Sequence, residues 1–404
     1  MDRSRAPGAI AAGAAVQLML GCLYAWSVFS LLLAEAFPQF TATELALSFT
    51  IAVISYCCGG YLGGWLSERI SRRVCLRLAA AAIFAGLFGA SFMEGLPPRQ
   101  ALLLLYGTFG VLMGTGNGLA YNICVTGIPM WYPDRMGLVC GILMMSYGAG
   151  SLLLGLLAQA LSAWTDVFSI FRLFGAVSLA TILAASLFLR DGAPDAVPDP
   201  GALSVTEGGD TPAQMLRRPS FWTYFLICVA NSASGLLIVG NAAGLALFFG
   251  AAAWAGPIVS VFNSLSRPIC GMLLDRLGPY RTLCCSTLLH LASSGLLILA
   301  AGLRSPVLGC TGIFAIGACY GASITASSGA IRQFYGPRHY PVNYSIIIFC
   351  MLPGSLLGPL LSGLLQDSGG GFRTTFSMMA AVDIIAIALL LLLHRQLRRE
   401  TAER

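Results

Sequence analysis

Apolar residues gather into twelve runs, at about 8–34, 43–67, 74–94, 101–128, 136–161 and 167–189, then 219–245, 250–274, 281–302, 305–331, 341–365 and 374–394. Each is long enough to cross the roughly 30 Å hydrocarbon core of a bilayer as a helix rising about 1.5 Å per residue. Between the sixth and seventh runs lie residues 190–218. They hold Pro194, Pro198, Pro200, Pro212, several glycines and five acidic residues (Asp191, Asp195, Asp199, Glu207, Asp210). Proline and glycine at that density interrupt helices, so this stretch reads as a solvated linker. The pattern predicts an all-α membrane protein with twelve transmembrane helices. They form two six-helix bundles, residues 1–189 and 219–404, joined by the linker 190–218.

The eighth run departs from uniform apolarity. Ser260, Asn263, Ser264 and Arg267 recur at i, i+3, i+4 and i+7, which places them on one helix face. Arg267 precedes Asp275, at the end of the run, by eight residues, about 12 Å along a helix axis. Its guanidinium therefore falls near mid-membrane, where a charge costs several kcal/mol unless it faces a partner or a wet cavity. A polar stripe ending in a permanently charged donor fork suits an anion site inside a helical bundle.

Composition agrees with the span pattern. Hydrophobic residues make up 57% and charged residues 10% of the 404-residue chain, and the mean hydropathy is +0.80. A soluble domain carries about 25% charged residues. All 23 basic residues are arginine. The net charge of +6 does not point to nucleic acid, because the arginines are spread over loops and form no groove-reading motif. Most of the thirteen cysteines lie within apolar runs (Cys57, Cys58, Cys140, Cys228, Cys284, Cys285, Cys350) and read as small core hydrophobes. No metal-ligand spacing, phosphate loop or nucleophilic triad is apparent, so no cofactor, metal or enzymatic activity is expected. The first apolar run continues past Leu33, too long for a cleaved signal, and reads as the first span.

Arginine placement sets the expected orientation. With a cytoplasmic N-terminus, eighteen arginines fall on that side, among them Arg69, Arg72, Arg73, Arg135, Arg276 and Arg332. Four (Arg99, Arg172, Arg304, Arg373) fall outside. An even number of spans then makes both termini cytoplasmic, in the inner (plasma) membrane.

An internal repeat follows. Gly64-Trp-Leu66-Ser-Glu68-Arg69 comes after the second run, and Gly271-Met-Leu-Leu-Asp275-Arg276 ends the eighth, 207 positions later. A repeat at half the chain length is what two parallel six-helix units produce. These motifs resemble the cytoplasmic 2–3 and 8–9 loops of the major facilitator superfamily. The resemblance implies a latch in which Gly64, Glu68, Arg69, Gly271, Asp275 and Arg276 hold one state of an alternating-access cycle. Glu68 replaces the usual aspartate and Ser71 the usual glycine, which implies a looser first latch.

Further strings narrow the resemblance. They are Tyr24-Ala-Trp26, Tyr121-Asn122, Trp131-Tyr-Pro-Asp-Arg-Met-Gly-Leu138, Tyr147-Gly148, Asn263-x-x-x-Arg267-Pro268-x-x-Gly271 and Asn343-Tyr344-Ser345. In this order they resemble the oxalate/formate antiporter family, itself similar to the monocarboxylate transporters. The resemblance places Arg267, with Asn263 on its face, at the substrate carboxylate. It also implies an aromatic cage formed by Tyr24, Tyr121, Tyr147 and Tyr320. This chain departs from the family in the eleventh span, where a lysine is replaced by Met351. Two cage positions become Ile324 and Ile348. One buried positive charge matches a monoanion better than a dianion.

Asp383 and His290 are titratable groups within spans; the resemblance makes both helices peripheral, so packing or lipid-interface roles are expected for them. Glu35 and Arg172 read as interfacial groups, and the glycines from Gly110 to Gly118 as a close helix contact. The function expected is secondary transport of a small carboxylate of formate, lactate or pyruvate size. The carrier would work as a monomer in the lipid bilayer, with exchange or a co-transported proton both open. Alternatives are another organic or aromatic acid, a dicarboxylate, or a non-transporting membrane sensor of such an anion.

Overall fold

The computed structural model describes residues 6–189, 209–251, 255–358 and 371–402. All regular structure among them is helical: α1 (Ala6–Leu20), α2 (Trp26–Ala36), α3 (Ala42–Ser67), α4 (Arg72–Ala90), α5 (Pro98–Leu105), α6 (Gly114–Gly127), α7 (Met136–Leu161) and α8 (Val167–Ser186). Then come α9 (Pro212–Arg217), α10 (Pro219–Gly240), α11 (Ala242–Phe248), α12 (Ala255–Leu277), α13 (Pro279–Leu303), α14 (Pro306–Tyr335), α15 (Tyr340–Ile348) and α16 (Gly371–Ala402). Among the described residues, ten helical stretches are long and apolar enough to cross a membrane, and the bent pair at the N-terminus, taken as one span, makes eleven. The remaining helix is α12, whose polar stripe lowers its hydropathy; with it the fold has twelve spans.

Contacts divide the chain into two compact units. The first is Met1–Pro133 with Ile142–Ala196; the second is Asp134–Gly141 with Val197–Arg404. The first turns of α7 thus belong with the second unit, a detail absent from the expected division at 189 and 219.

In the first unit, glycines set the tightest helix contact. A Cβ on Gly114 would stand 2.5 Å from the Ala52 carbonyl oxygen, and one on Gly59 2.1 Å from that of Thr115. Only small residues let α3 and α6 approach so closely. Ahead of α6, residues Tyr106–Met113 form a π-helical stretch that the apolar pattern did not foretell. The first span is not one straight helix either. It bends by 42° between Gly8–Leu23 and Trp26–Ala36. Gly21, at the bend, lies against the backbone of Tyr147, Gly150 and Ser151. Arg172 and Glu94 pair at 2.6 Å with both side chains well exposed, consistent with an interfacial position.

In the second unit, α10 to α14 and α16 enclose an apolar core that includes Leu237, Ile238, Phe249, Ile313, Ile316 and Phe376. The expected solvated linker needs correction at its end. Thr211 and Gln214 form a capping box that starts α9, and Met215 is fully buried. Asp210 is held by Arg218 at 2.5 Å, and its carbonyl accepts from Asn343 Nδ2 at 2.9 Å. Residues 190–208 lie outside the described residues.

Candidate functional site

The polar stripe of α12 faces protein, while the opposite face is apolar and exposed. Asn263, Ser264 and Arg267 are buried, whereas Val261, Phe262, Leu265, Ile269 and Met272 are open. Arg267 is 7% exposed. One guanidinium nitrogen donates to Asn263 Oδ1 at 2.9 Å, and Asn263 Nδ2 donates to the Gly317 carbonyl of α14 at 3.0 Å. Asn263 thereby turns its oxygen to the arginine and fixes the guanidinium relative to a second helix. α12 and α14 run in register: Val259 meets Gly317, Asn263 meets Gly321, and Leu274 meets Gly329. Cys270 Sγ lies 3.1 Å from the Ala322 carbonyl. Arg267 therefore stands at the depth of residues 321–325 of α14.

At that depth α14 also lines a small, partly open pocket in the second unit. Its walls include Ser232, Ser323, Ile324, Ser327, Ile348 and Met351. The three positions where charge or aromaticity was expected and is missing thus meet in one place, and none of the lining residues is charged. Met351 follows a turn at Phe349–Cys350. Pro353 accounts for that turn, because it cannot donate to the Phe349 carbonyl four residues earlier. Leu352 is not among the lining residues. Tyr320 is buried, and its ring covers Gly235 of α10, where a Cβ would stand 2.4 Å away.

The first unit brings Tyr24, Tyr121 and Tyr147 together. Tyr147 stands edge-on to Tyr24 at 5.7 Å and to Tyr121 at 5.5 Å between ring centroids. The bend at Gly21–Ala25 is what places Tyr24 there. Tyr56 and Phe49 extend the cluster, at 5.5 Å from Tyr121 and 5.9 Å from Tyr24. Neither was singled out from sequence, because an aromatic residue in an apolar run carries no local mark of its neighbours. Tyr147 donates to Asn117 Oδ1 at 3.3 Å, and Asn117 Nδ2 donates to the Leu20 carbonyl at 2.7 Å.

The repeated motifs differ in what they touch. Asp275 Oδ1 accepts from the Gly137 N–H at 2.7 Å, and Oδ2 from the Leu138 N–H at 2.9 Å. These are first-turn donors of α7, so the carboxylate caps a helix 137 residues away in sequence and sits at its positive end. Glycines make the approach possible: a Cβ on Gly271 would stand 2.1 Å from the Gly137 carbonyl oxygen, and one on Gly141 2.4 Å from that of Arg267. In the first motif Gly64 is buried and Glu68 is exposed. Arg69 stacks on Trp65 at 3.8 Å and donates to its carbonyl at 3.0 Å. Arg276 is exposed at the helix end.

Asp383 and His290 are both fully buried, which fits the packing alternative of the expectation and not the lipid-interface one. Among the described residues, no group of three or more His, Cys, Asp or Glu side chains is placed to hold a metal ion.

The family described as Major Facilitator Superfamily matches residues 11–251 and 232–404. An uncharacterized MFS-type transporter of Escherichia coli, YhjX, is 25% identical over 349 residues, 84% of this chain and 83% of that protein. The oxalate:formate antiporter of Oxalobacter formigenes is 26% identical over 312 residues, covering 75% of this chain and 72% of the antiporter. In fold, the chain is similar to the proton:xylose symporter XylE, with a TM-score of 0.71 at 14% identity over 96% of this chain and 95% of that one.

Proposed function

Because the chain belongs to the major facilitator superfamily, a family of membrane transporters, we propose that it carries a small monocarboxylate by alternating access. Both termini would be cytoplasmic. The observation that carries the reading is Arg267, buried at 7% exposure and aimed by Asn263. A buried guanidinium is a strong anion anchor, since its planar fork binds a carboxylate through two parallel hydrogen bonds. The uncharged pocket at the same depth supports one negative charge over two, because a second carboxylate there would be desolvated without a partner. Its isoleucines and Met351 suit a short apolar tail, and its serines a hydroxyl or keto oxygen. That favours lactate- or pyruvate-like anions over formate.

Tyr24, Tyr121, Tyr147 and Tyr320 are proposed substrate contacts through their hydroxyls and ring faces. Asp275, Gly271 and Arg276, with Gly64, Glu68 and Arg69, are proposed latch residues. A contact carried by two hydrogen bonds from an exposed carboxylate to the first turn of α7 is one that a conformational cycle can release.

The test is uptake of labelled formate, lactate, pyruvate and oxalate into proteoliposomes, with and without an imposed pH gradient. Lactate or pyruvate is expected to be carried, and Arg267→Ala to abolish uptake at unchanged membrane abundance. Full uptake in Arg267→Ala would refute the anion anchor.

A further inference from the structure

The second unit contains a buried polar network that the anion site does not use. It lies where α13, α14 and α16 meet. On α16, Asp383 is fully buried, and Ser294 Oγ of α13 donates to its Oδ2 at 2.6 Å. The other oxygen, Oδ1, has no hydrogen-bond partner. One turn before Ser294, on the same helix face, is His290. It is also fully buried, with its ring against the Ser286 backbone and no side-chain partner for either nitrogen. Among the described residues, no cationic nitrogen lies within 4.0 Å of Asp383.

The network reaches the pocket. One turn before His290 is Ser286, whose hydroxyl is 3.2 Å from that of Ser323. Ser323 lines the pocket, and its hydroxyl donates to the Cys319 carbonyl at 2.9 Å. Polar side chains along α13 (Ser286, His290, Ser294) thus step from the pocket wall toward Asp383.

We propose that Asp383, Ser294 and His290 form a proton-binding site, and that its proton accompanies the anion carried at Arg267. An ionised carboxylate left alone in so apolar a place costs several kcal/mol; taking a proton removes the charge. The reaction is –COO⁻ + H⁺ → –COOH at Oδ1. His290 passes the proton by accepting it on one ring nitrogen and releasing one from the other, and Ser286 and Ser323 lead to the pocket.

Other titratable groups near these helices are engaged elsewhere. On α10, which also packs on α16, Tyr224 donates to Ser327 at 3.0 Å and Cys228 lies 3.7 Å from the same hydroxyl. On α12, Arg267 is held by Asn263, Cys270 by the Ala322 carbonyl and Asp275 by α7, and Arg276 is exposed. On α13, Tyr280 packs on His394 at the far end, and Cys284 and Cys285 are six and five residues before His290. On α16, Arg373 and His394 are ten and eleven residues from Asp383, at least about 15 Å along the helix.

The coupling half of the proposal rests on the carrier reading; the proton site itself does not. Infrared difference spectra of the purified protein in lipid, recorded across pH steps without substrate, test the site. The wild type should show a titrating band of a buried protonated carboxyl. Asp383→Asn should lose it, Ser294→Ala should shift its frequency, and His290→Gln should shift its titration midpoint. In proteoliposomes with labelled lactate, Asp383→Asn should lower the ratio of pH-driven accumulation to counterflow at least tenfold. A spectrum unchanged by Asp383→Asn, or a band that never titrates while pH drive survives in the variant, would overturn the proposal. So would acceleration by a sodium gradient without any response to pH. Absence of lactate transport in wild type, with the band present, would refute the carrier reading and leave the proton site standing.

Discussion

Asn263→Asp is the sharpest perturbation of the anion site, because it changes charge without changing shape. In the wild type, a neutral amide oxygen accepts from Arg267 at 2.9 Å. A carboxylate in its place would neutralise the guanidinium from within the protein. Two opposite charges about 4 Å apart interact by about 4 kcal/mol at an effective dielectric of 20. Hydration lost by the new carboxylate offsets part of that. The substrate then competes for a cation already paired, and its binding should weaken by about 2–3 kcal/mol, or roughly 30- to 150-fold.

Asn263→Ala is the comparison. It removes the bonds to Arg267 and to the Gly317 carbonyl but leaves the charge available. At about 0.5–1.5 kcal/mol net for each bond, it should cost clearly less than the acidic variant. The assay is the lactate or pyruvate concentration giving half-maximal uptake into proteoliposomes, at matched membrane abundance and thermal stability. If the two variants weaken uptake equally, the charge of Arg267 is not what holds the anion, and the site reading fails.

Three further outcomes are expected. Met351→Lys places a cation in the uncharged pocket and should move preference toward oxalate and malonate, read as competition against a labelled monocarboxylate; no gain for either dianion would refute the charge-counting argument. Asp275→Asn leaves one α7 N–H facing an amide donor and should shift the conformational equilibrium by about 1 kcal/mol, roughly fivefold, seen as altered labelling of single cysteines engineered in the transport cavity; unchanged labelling would remove the latch role. In a cysteine-free background, Arg217→Cys should label from the cytoplasmic side and Trp164→Cys, at an 89% exposed position, from the other; labelling of both from one side would refute the proposed topology.

The span pattern was legible because a bilayer forces long apolar runs, and the α12 face was legible because its polar residues recur with helical period. The glycines from Gly110 to Gly118 were readable for a related reason: small residues in a span mark where backbones approach. Tertiary pairing left no such trace. Nothing near Asp275 announces that its oxygens cap α7, although Gly137 in the Asp134-Arg-Met-Gly137 string is the residue that the contact with Gly271 demands. The turn before Met351 had a sequence signal in Pro353, whereas the bend at Gly21–Ala25 lacks a proline and is matched to a neighbouring backbone. The end of the linker was misread because composition reports average solvation, while Thr211 and Met215 specify a helix start and an anchor.

Arg267 and Asp383 show why one buried charge was found and the other was assigned to packing. Ser260, Asn263 and Ser264 share the arginine's face, so the polar group carries a periodic signature and keeps α12 below the hydropathy of the other spans. The carboxylate stands alone in its own helix, and one acidic residue barely changes the average over an otherwise apolar span. Its partner Ser294 and its neighbour His290 come from α13, so the polar face that explains Asp383 is assembled from two helices. A periodicity argument reads one helix at a time and detects sites of the first kind. Sites of the second kind appear only when packing shows which buried polar groups face each other without a countercharge.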